Sequence, residues 1–149
     1  MKLHEYIQKL LADALRADEE LTGAGVYVFE QNSKDLAFML EKEGSAFDAP
    51  VVVVTCDKMR KLHSAPAEWE LECSVLVTEG VPTNRERGHY MTALDVAFAA
   101  AEALDALVGV HLTGEVKHTT PGDGILEAEA KFACRVQTRN GDESYGQEE

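Results

Sequence analysis

Five histidines, three cysteines, a glutamate triplet and two basic clusters are the residues of this chain that could do chemistry. His4, His63, His89, His111 and His118 include no pair at the i, i+4 or short-loop spacing of a zinc site, so no metal is expected. His111 and His118 stand seven apart along one strand pattern, which points them to opposite faces. Cys56, Cys73 and Cys134 are an odd number without Cys-x-x-Cys spacing, the pattern of free buried thiols in a reducing compartment rather than of a disulfide scaffold. Cys73 and Cys134 fall on the inward positions of alternating segments, where a small hydrophobe packs without any catalytic role. A nucleophilic thiol would need a nearby base and partial exposure. Glu68, Glu70 and Glu72 could be read as paired acid and base, but such pairs need environments that drive their pKa values apart. Their parity instead puts all three on one outer strand face, read as solvated and acidic or as a surface for a basic partner.

No Gly-x-Gly-x-x-Gly, P-loop or Gly-x-Ser-x-Gly pattern occurs, so the sequence predicts no cofactor, no catalytic residues and no enzyme activity. The glycines of Pro121-Gly122-Asp123-Gly124 precede a strand pattern and make a turn. The exceptions to the prevailing charge are more informative. Lys58, Arg60 and Lys61, with His63, lie in the polar stretch from Asp57 to Pro66, read as a loop or ragged hairpin end; Arg85 and Arg87 lie at the start of a later helix. Each cluster reads either as a solubilising loop or as a docking tip for an acidic neighbour, since complementary charge guides encounter and fixes register. Lys58, Arg60, Lys61, Arg85 and Arg87 are therefore the candidate protein-interaction residues.

The background to these clusters is strongly acidic: 14 Lys and Arg against 27 Asp and Glu in 149 residues, a formal net charge of −13. Such a balance disfavours binding to nucleic acid or to an anionic membrane, both of which require cations. Hydrophobic residues make up 45% of the chain, enough for one domain with its own core. No apolar stretch approaches the roughly 20 residues of a membrane span, and the amphipathic start is not that of a secretory signal.

The elements that must position these residues follow from periodicity. Leu3, Ile7, Leu10, Leu11, Ala14 and Leu15 form one helical stripe. The pattern fades at Asp18-Glu19-Glu20, Gly23 and Gly25 end it, and Val26 to Glu30 is a short strand. A second helix is expected over Lys34 to Glu43, capped by Ser33. Val51 to Cys56, with four consecutive valines, reads as a strand buried on both faces. Trp69, Leu71, Cys73, Val75 and Val77 alternate with polar neighbours, leaving Leu76 on the wet side. Thr83 and Glu86 have capping-box spacing for a third helix running through Tyr90, Leu94, Ala97, Ala101, Leu104 and Val108, with Phe98 beside them. Its alanines, Ala93, Ala97, Ala100 and Ala101, suit close docking on a sheet, and Gly109 suits its end. Val110 to Val116 and Leu126 to Val136 are the last two strands. Strands in pairs predict an α+β fold: a mainly antiparallel sheet with the N-terminal helix and the long third helix packed on one face. The domain is placed at residues 1–139, and 140–149 is an acidic tail carrying four of the negative charges.

This layout resembles the tail-terminator family of long-tailed phages, the minor tail protein U-like group and related tail-completion proteins. The amphipathic helix Lys2 to Leu15, the segment Asp48-Ala49-Pro50-Val51-Val52-Val53-Val54, the alternating strand Glu68 to Val77 opened by Trp69, the helix ending near Leu107 and the closing strand Ile125 to Phe132 carry the resemblance. The helix at Lys34 to Glu43 and the acidic tail depart from it. The resemblance implies a virion structural protein of the tail and neck, made in the host cytoplasm. It implies a homo-oligomeric ring, commonly a hexamer, that ends the tail tube, contacts the tube protein and presents a surface to head-completion or connector proteins. DNA would only pass through its channel, and no membrane is involved. Two other readings stay open: a head–tail connector subunit, and a small non-phage α+β ligand-binding or thioesterase-like domain.

Overall fold

The computed structural model describes residues 2–31, 49–80, 91–122 and 125–137. The expected helix over Lys34 to Glu43, the Thr83–Glu86 cap with Arg85 and Arg87, and the acidic tail lie outside the described residues. Among the described residues, three helices and five strands follow in the order α1 (Leu3–Arg16), α2 (Glu19–Gly23), β1 (Tyr27–Glu30), β2 (Val51–Ser64), β3 (Ala67–Gly80), α3 (Ala93–Asp105), β4 (Val110–Gly122) and β5 (Ile125–Gln137). The strands form one sheet in the order β1-β2-β3-β5-β4. β1 runs parallel to β2, and every other pair is antiparallel. The fold is the α+β arrangement expected, with α1 and α3 packed against the sheet.

β3 organises the sheet because it is paired along both edges. Its residues Leu71, Cys73, Val75 and Val77 point to the helices and are fully buried. They meet Val54 and Val52 across β2 and Cys134, Phe132, Ala130 and Ala128 across β5. Onto this apolar face α1 lays Leu3, Ile7, Leu11 and Leu15, and α3 lays Ala93, Val96, Ala97, Ala100 and Leu104. Alanines let α3 approach the sheet closely, so Phe132, the largest fully buried side chain, fills the space beneath it. The valine run is closed on both sides only in part. Val52 and Val54 face the helices, Val51 is buried with Phe29 on the opposite face, and Val53 is half-buried there. On that same face the Tyr27 and Phe29 rings stack at 6.5 Å.

Four expectations require correction. In α1 the buried stripe takes in Gln8 and Ala12, while Leu10 is 40% exposed. The stripe follows the i, i+4 row from Leu3 to Leu15 and one flank of it, and Leu10 lies on the other flank. The residues after α1 form a short helix of their own rather than fading into a turn. Asp18 caps α2 by accepting the Leu21 N–H at 3.1 Å, which buries Leu21. α3 starts at Ala93 and not near Thr83. Its capping box is Thr92 with Asp95, in which Asp95 N–H donates to Thr92 Oγ1 at 3.2 Å and Thr92 N–H donates to Asp95 Oδ2 at 3.0 Å. With that start, Leu94 and Phe98 fall on the solvent side, and Val108 is fully exposed in the turn that follows. Finally, of the two readings of Asp57 to Pro66, the loop gives way to the hairpin end: Asp57 to Ser64 is strand, and β2 stays paired with β3, through two register shifts, to the pair Ser64–Ala67.

Two polar devices tie the helices to the sheet. Glu79, at the end of β3, is 1% exposed and accepts the Ala93 N–H at 2.7 Å. A carboxylate there satisfies a free amide at the first turn of α3 and opposes the positive end of its dipole. Arg16, at the end of α1, donates to Asp13 at 3.0 Å, to Glu30 at 2.7 Å and to the Val28 carbonyl at 2.9 Å, fastening α1 to β1. Burial pushes the Glu30 carboxyl up, but the Arg16 hydrogen bond, a backbone hydrogen bond and the Arg16 charge outweigh it and hold it below its ordinary value. The Lys9 hydrogen bond, supported by Arg16 and opposed by burial, likewise lowers Asp13. Gly109, at φ +80°, makes the turn into β4 and accepts the Arg135 N–H at 3.0 Å. A Cβ there would stand 3.2 Å from the Arg135 carbonyl oxygen.

Glu79→Ala should cost about 1–3 kcal/mol in denaturant unfolding, because it strands a buried N–H. Glu79→Gln should cost less, since it keeps an acceptor. The lowered carboxyls fix the sign of the acid limb. A group whose folded pKa is depressed contributes stability above its unfolded value, and that stability is lost as pH falls through the folded pKa. Stability should therefore decline below the ordinary Glu range near 4.5. Glu30→Gln should flatten that decline, as measured by thermal melts across acid pH.

Candidate interaction surface

The candidate cations Lys58, Arg60 and Lys61 lie on the distal half of the β2–β3 hairpin. β1 pairs only with Val51 to Val54, so among the described residues no strand covers the outer edge of β2 from Thr55 to Ser64. A register shift between Cys56 and Lys58 marks where the strand changes from apolar core to polar arm. Beyond it the register sets the basic residues of β2 opposite the glutamates of β3: Lys58 faces Glu72, Arg60 faces Glu70 and His63 faces Glu68. β5 adds Arg135 opposite Glu70.

The two features that the sequence presents separately, a basic cluster and an acidic face, are thus one cross-strand ladder. Arg60 donates to Glu70 at 2.7 Å, and Arg135 approaches the other Glu70 oxygen at 3.6 Å. His63 stands 3.9 Å from Glu68. The Glu70 side chain is only 15% exposed, while Arg60 remains 62% exposed. Glu70 is therefore matched and partly covered rather than simply solvated, while Glu72 stays exposed opposite Lys58. Lys61 projects to the other side of the ribbon, and its ammonium lies 5.8 Å from the centre of the Trp69 ring, a cation–π contact. The structure brings Lys58, Arg60 and Lys61 onto one arm but on two faces, Lys58 and Arg60 on one and Lys61 on the other. Arg85 and Arg87 lie outside the described residues.

Below the arm, the same sheet face carries a second polar cluster. Asp57 accepts hydrogen bonds from Thr55 Oγ1 at 2.9 Å and from the hydroxyl of Ser74, which is 4% exposed. This pins the chain at the register shift. The alternation pattern assigned Ser74 to the wet side, and nothing in it signals that Asp57 covers the residue. Further along the face, an open depression of about 410 Å³ is lined by Thr113, Gly114, Glu115, Lys117, Glu129 and Lys131. The Thr113 hydroxyl donates to the Lys131 carbonyl at 3.1 Å. Lys117 and Glu115 approach to 3.9 Å. The depression arises because β4 bulges between Leu112 and Val116, with Gly114 at φ +117°. Its lining side chains are mostly charged, unlike the predominantly hydrophobic residues that line a pocket for a small organic ligand.

His111 lies opposite Ala133 and His118 opposite Ala128, which places them on opposite faces as the spacing predicts. Among the described residues no three His, Cys, Asp or Glu side chains converge as metal ligands, and no helix is long and apolar enough to cross a membrane. No family model matches the chain, and no curated protein matches it.

The ladder is testable as a coupling. In a double-mutant cycle, Arg60→Ala and Glu70→Ala should be coupled by about 0.2–1 kcal/mol, the range of an exposed pair. The coupling should shrink in high salt. Additive losses would remove the pair from the stability of the arm.

Proposed function

We propose that the chain is a virion structural subunit, a tail terminator or tail-completion protein that forms a ring on the tail tube and joins it to head-completion proteins. The observation that carries this reading is the distal half of the β2–β3 hairpin, where the charged outer edge of β2 from Thr55 to Ser64 is unpaired among the described residues. Its shape suits contact with neighbouring subunits. Its charges suit register more than adhesion, because matched ions discriminate between partners better than they add affinity. The sequence resemblance, which runs through α1, the valine strand, β3, α3 and β5, supports the same reading. Lys58, Arg60, Lys61, Arg85 and Arg87 are its interaction residues, toward an acidic protein neighbour. The net charge of −13 fits a channel that DNA traverses without binding.

A head–tail connector subunit would share the arm and the acidity, and it differs in its neighbour. A ligand-binding or thioesterase-like domain would require an apolar pocket. The charged depression on β4 and β5 favours neither a lipophilic nor an acyl ligand.

The test is native mass measurement of the full chain, alone and with a tail tube protein. A ring, or addition to the tube end, is expected; a strict monomer that never joins a tube overturns the proposal. Lys58→Gln with Lys61→Gln should impair assembly while leaving the melting temperature nearly unchanged. Glutamine is the better probe because glutamate at position 58 would face Glu72 directly.

A further inference from the structure

The three cysteines, distant in sequence, are neighbours in the fold. Cys56 on β2 is the direct cross-strand partner of Cys73 on β3. Cys134 on β5 faces Leu71, one diagonal step from Cys73. All three side chains point to the helix-covered face. Cys73 and Cys134 are buried, whereas Cys56 is partly open to solvent.

We infer that Cys56 and Cys73 form an oxidation site, converted by a hydroperoxide into a cross-strand disulfide at the base of the β2–β3 arm. Directly opposed strand residues hold their Cβ atoms roughly 4.5–5.5 Å apart. A disulfide takes about 3.5–4.5 Å. The closure required is therefore about one ångström. It falls next to the register shift at Asp57, where the ladder already departs from ideal spacing. Cys134, on a diagonal and fully covered, is the worse partner for a bond that must start at an accessible sulfur.

The roles follow from exposure and hydrogen bonding. Cys56 is the sulfur a small oxidant can reach. The hydrogen bond from Cys73 holds its thiol below the usual range against the opposing effect of burial. Cys73 is driven the other way by its contacts with Cys134 and Cys56 and by burial, so its proton is released only as its sulfur attacks. The Cys56 thiolate attacks one peroxide oxygen and breaks the O–O bond, giving a sulfenic acid and hydroxide, which takes up a proton to become water. Cys73 sulfur then attacks the Cys56 sulfur, and the hydroxyl leaves with the Cys73 proton as a second water. Two thiols are oxidised, one peroxide is reduced, and the balance closes without a further reagent. The product would close a loop around the arm and fix β2 to β3 where the apolar core ends.

This inference does not rest on ring formation. The experiment treats the folded full chain with hydrogen peroxide, blocks residual thiols with an alkylating agent after denaturation, and reads intact mass and peptide maps. The expected result is loss of two hydrogen atoms, a linked peptide pair containing Cys56 and Cys73, alkylation at Cys134 alone, and reversal by a dithiol reductant. Cys134→Ser should still form the link, and Cys56→Ser should not. A link between Cys73 and Cys134, oxidation of Cys56 to the sulfinic acid without a link, or three alkylated thiols would each overturn it. So would a link that forms only in denaturant.

Discussion

The pairing of β3 along both edges is the constraint on which the rest of the molecule depends. From Ala67 to Gly80 each residue has a partner on β2 or β5, and over most of its length on both. Once its register is set, the period of two decides the fate of three strands together. Odd positions of β3 bring Val52, Val54, Ala128, Ala130 and Phe132 onto the face where α1 and α3 dock. A slip of one residue would turn that entire set to solvent. The same register places Glu68, Glu70 and Glu72 against the cations of β2 and β5, so core and charge ladder are two consequences of one alignment.

Glu79 carries the alignment into the helical layer. It stands at the end of the inward-facing row of β3, where apolar side chains precede it, and it is buried there. Burying such a group is costly unless its oxygens are satisfied. The first N–H of α3 satisfies one of them, which fixes where that helix can begin relative to the sheet. Thr92 and Asp95 then close the turn from within the helix. The position of α3 is thus set from two sides: from below by the fit of its alanines over Phe132, and from its end by a polar contact that tolerates little displacement.

The fold was legible in the sequence where burial imposes a period. β3, β5, the valine strand and the alanine face of α3 all follow from such patterns. What was not legible was decided by partners rather than by period. Residues Lys58 to His63 look like a loop or ragged hairpin end because few of them are apolar, yet they form a strand held by backbone pairing and by β3 glutamates five to fourteen residues away. Thr83 with Glu86 points to an earlier start for α3 because Thr-x-x-Glu is the stronger capping signature. Thr92 with Asp95 achieves the same reciprocal bonds with a shorter carboxylate. The structural role of Glu79 and the coverage of Ser74 by Asp57 leave no local trace, since each depends on a contact across the fold. In the sequence each cysteine looks like an isolated small hydrophobe. Their adjacency exists only once three strands are in register.

Mutual neutralisation within the arm also bears on how a partner would use it. An edge strand lined with lysine and arginine resists strand addition, because an incoming backbone must displace or desolvate those side chains. The exposed ends of Lys58 and Arg60 and the open side of the Glu68–Glu70–Glu72 row are instead free to exchange partners laterally. A neighbour carrying its own alternating charges would substitute intermolecular pairs for intramolecular ones at little net cost, since both states keep the ions matched and partly hydrated. Such a contact gains little affinity but has a strong preference for one register. Under the proposed ring assembly, subunits stacked around an axis would need that property more than tight pairwise binding, because closure of a ring multiplies weak contacts whose geometry agrees.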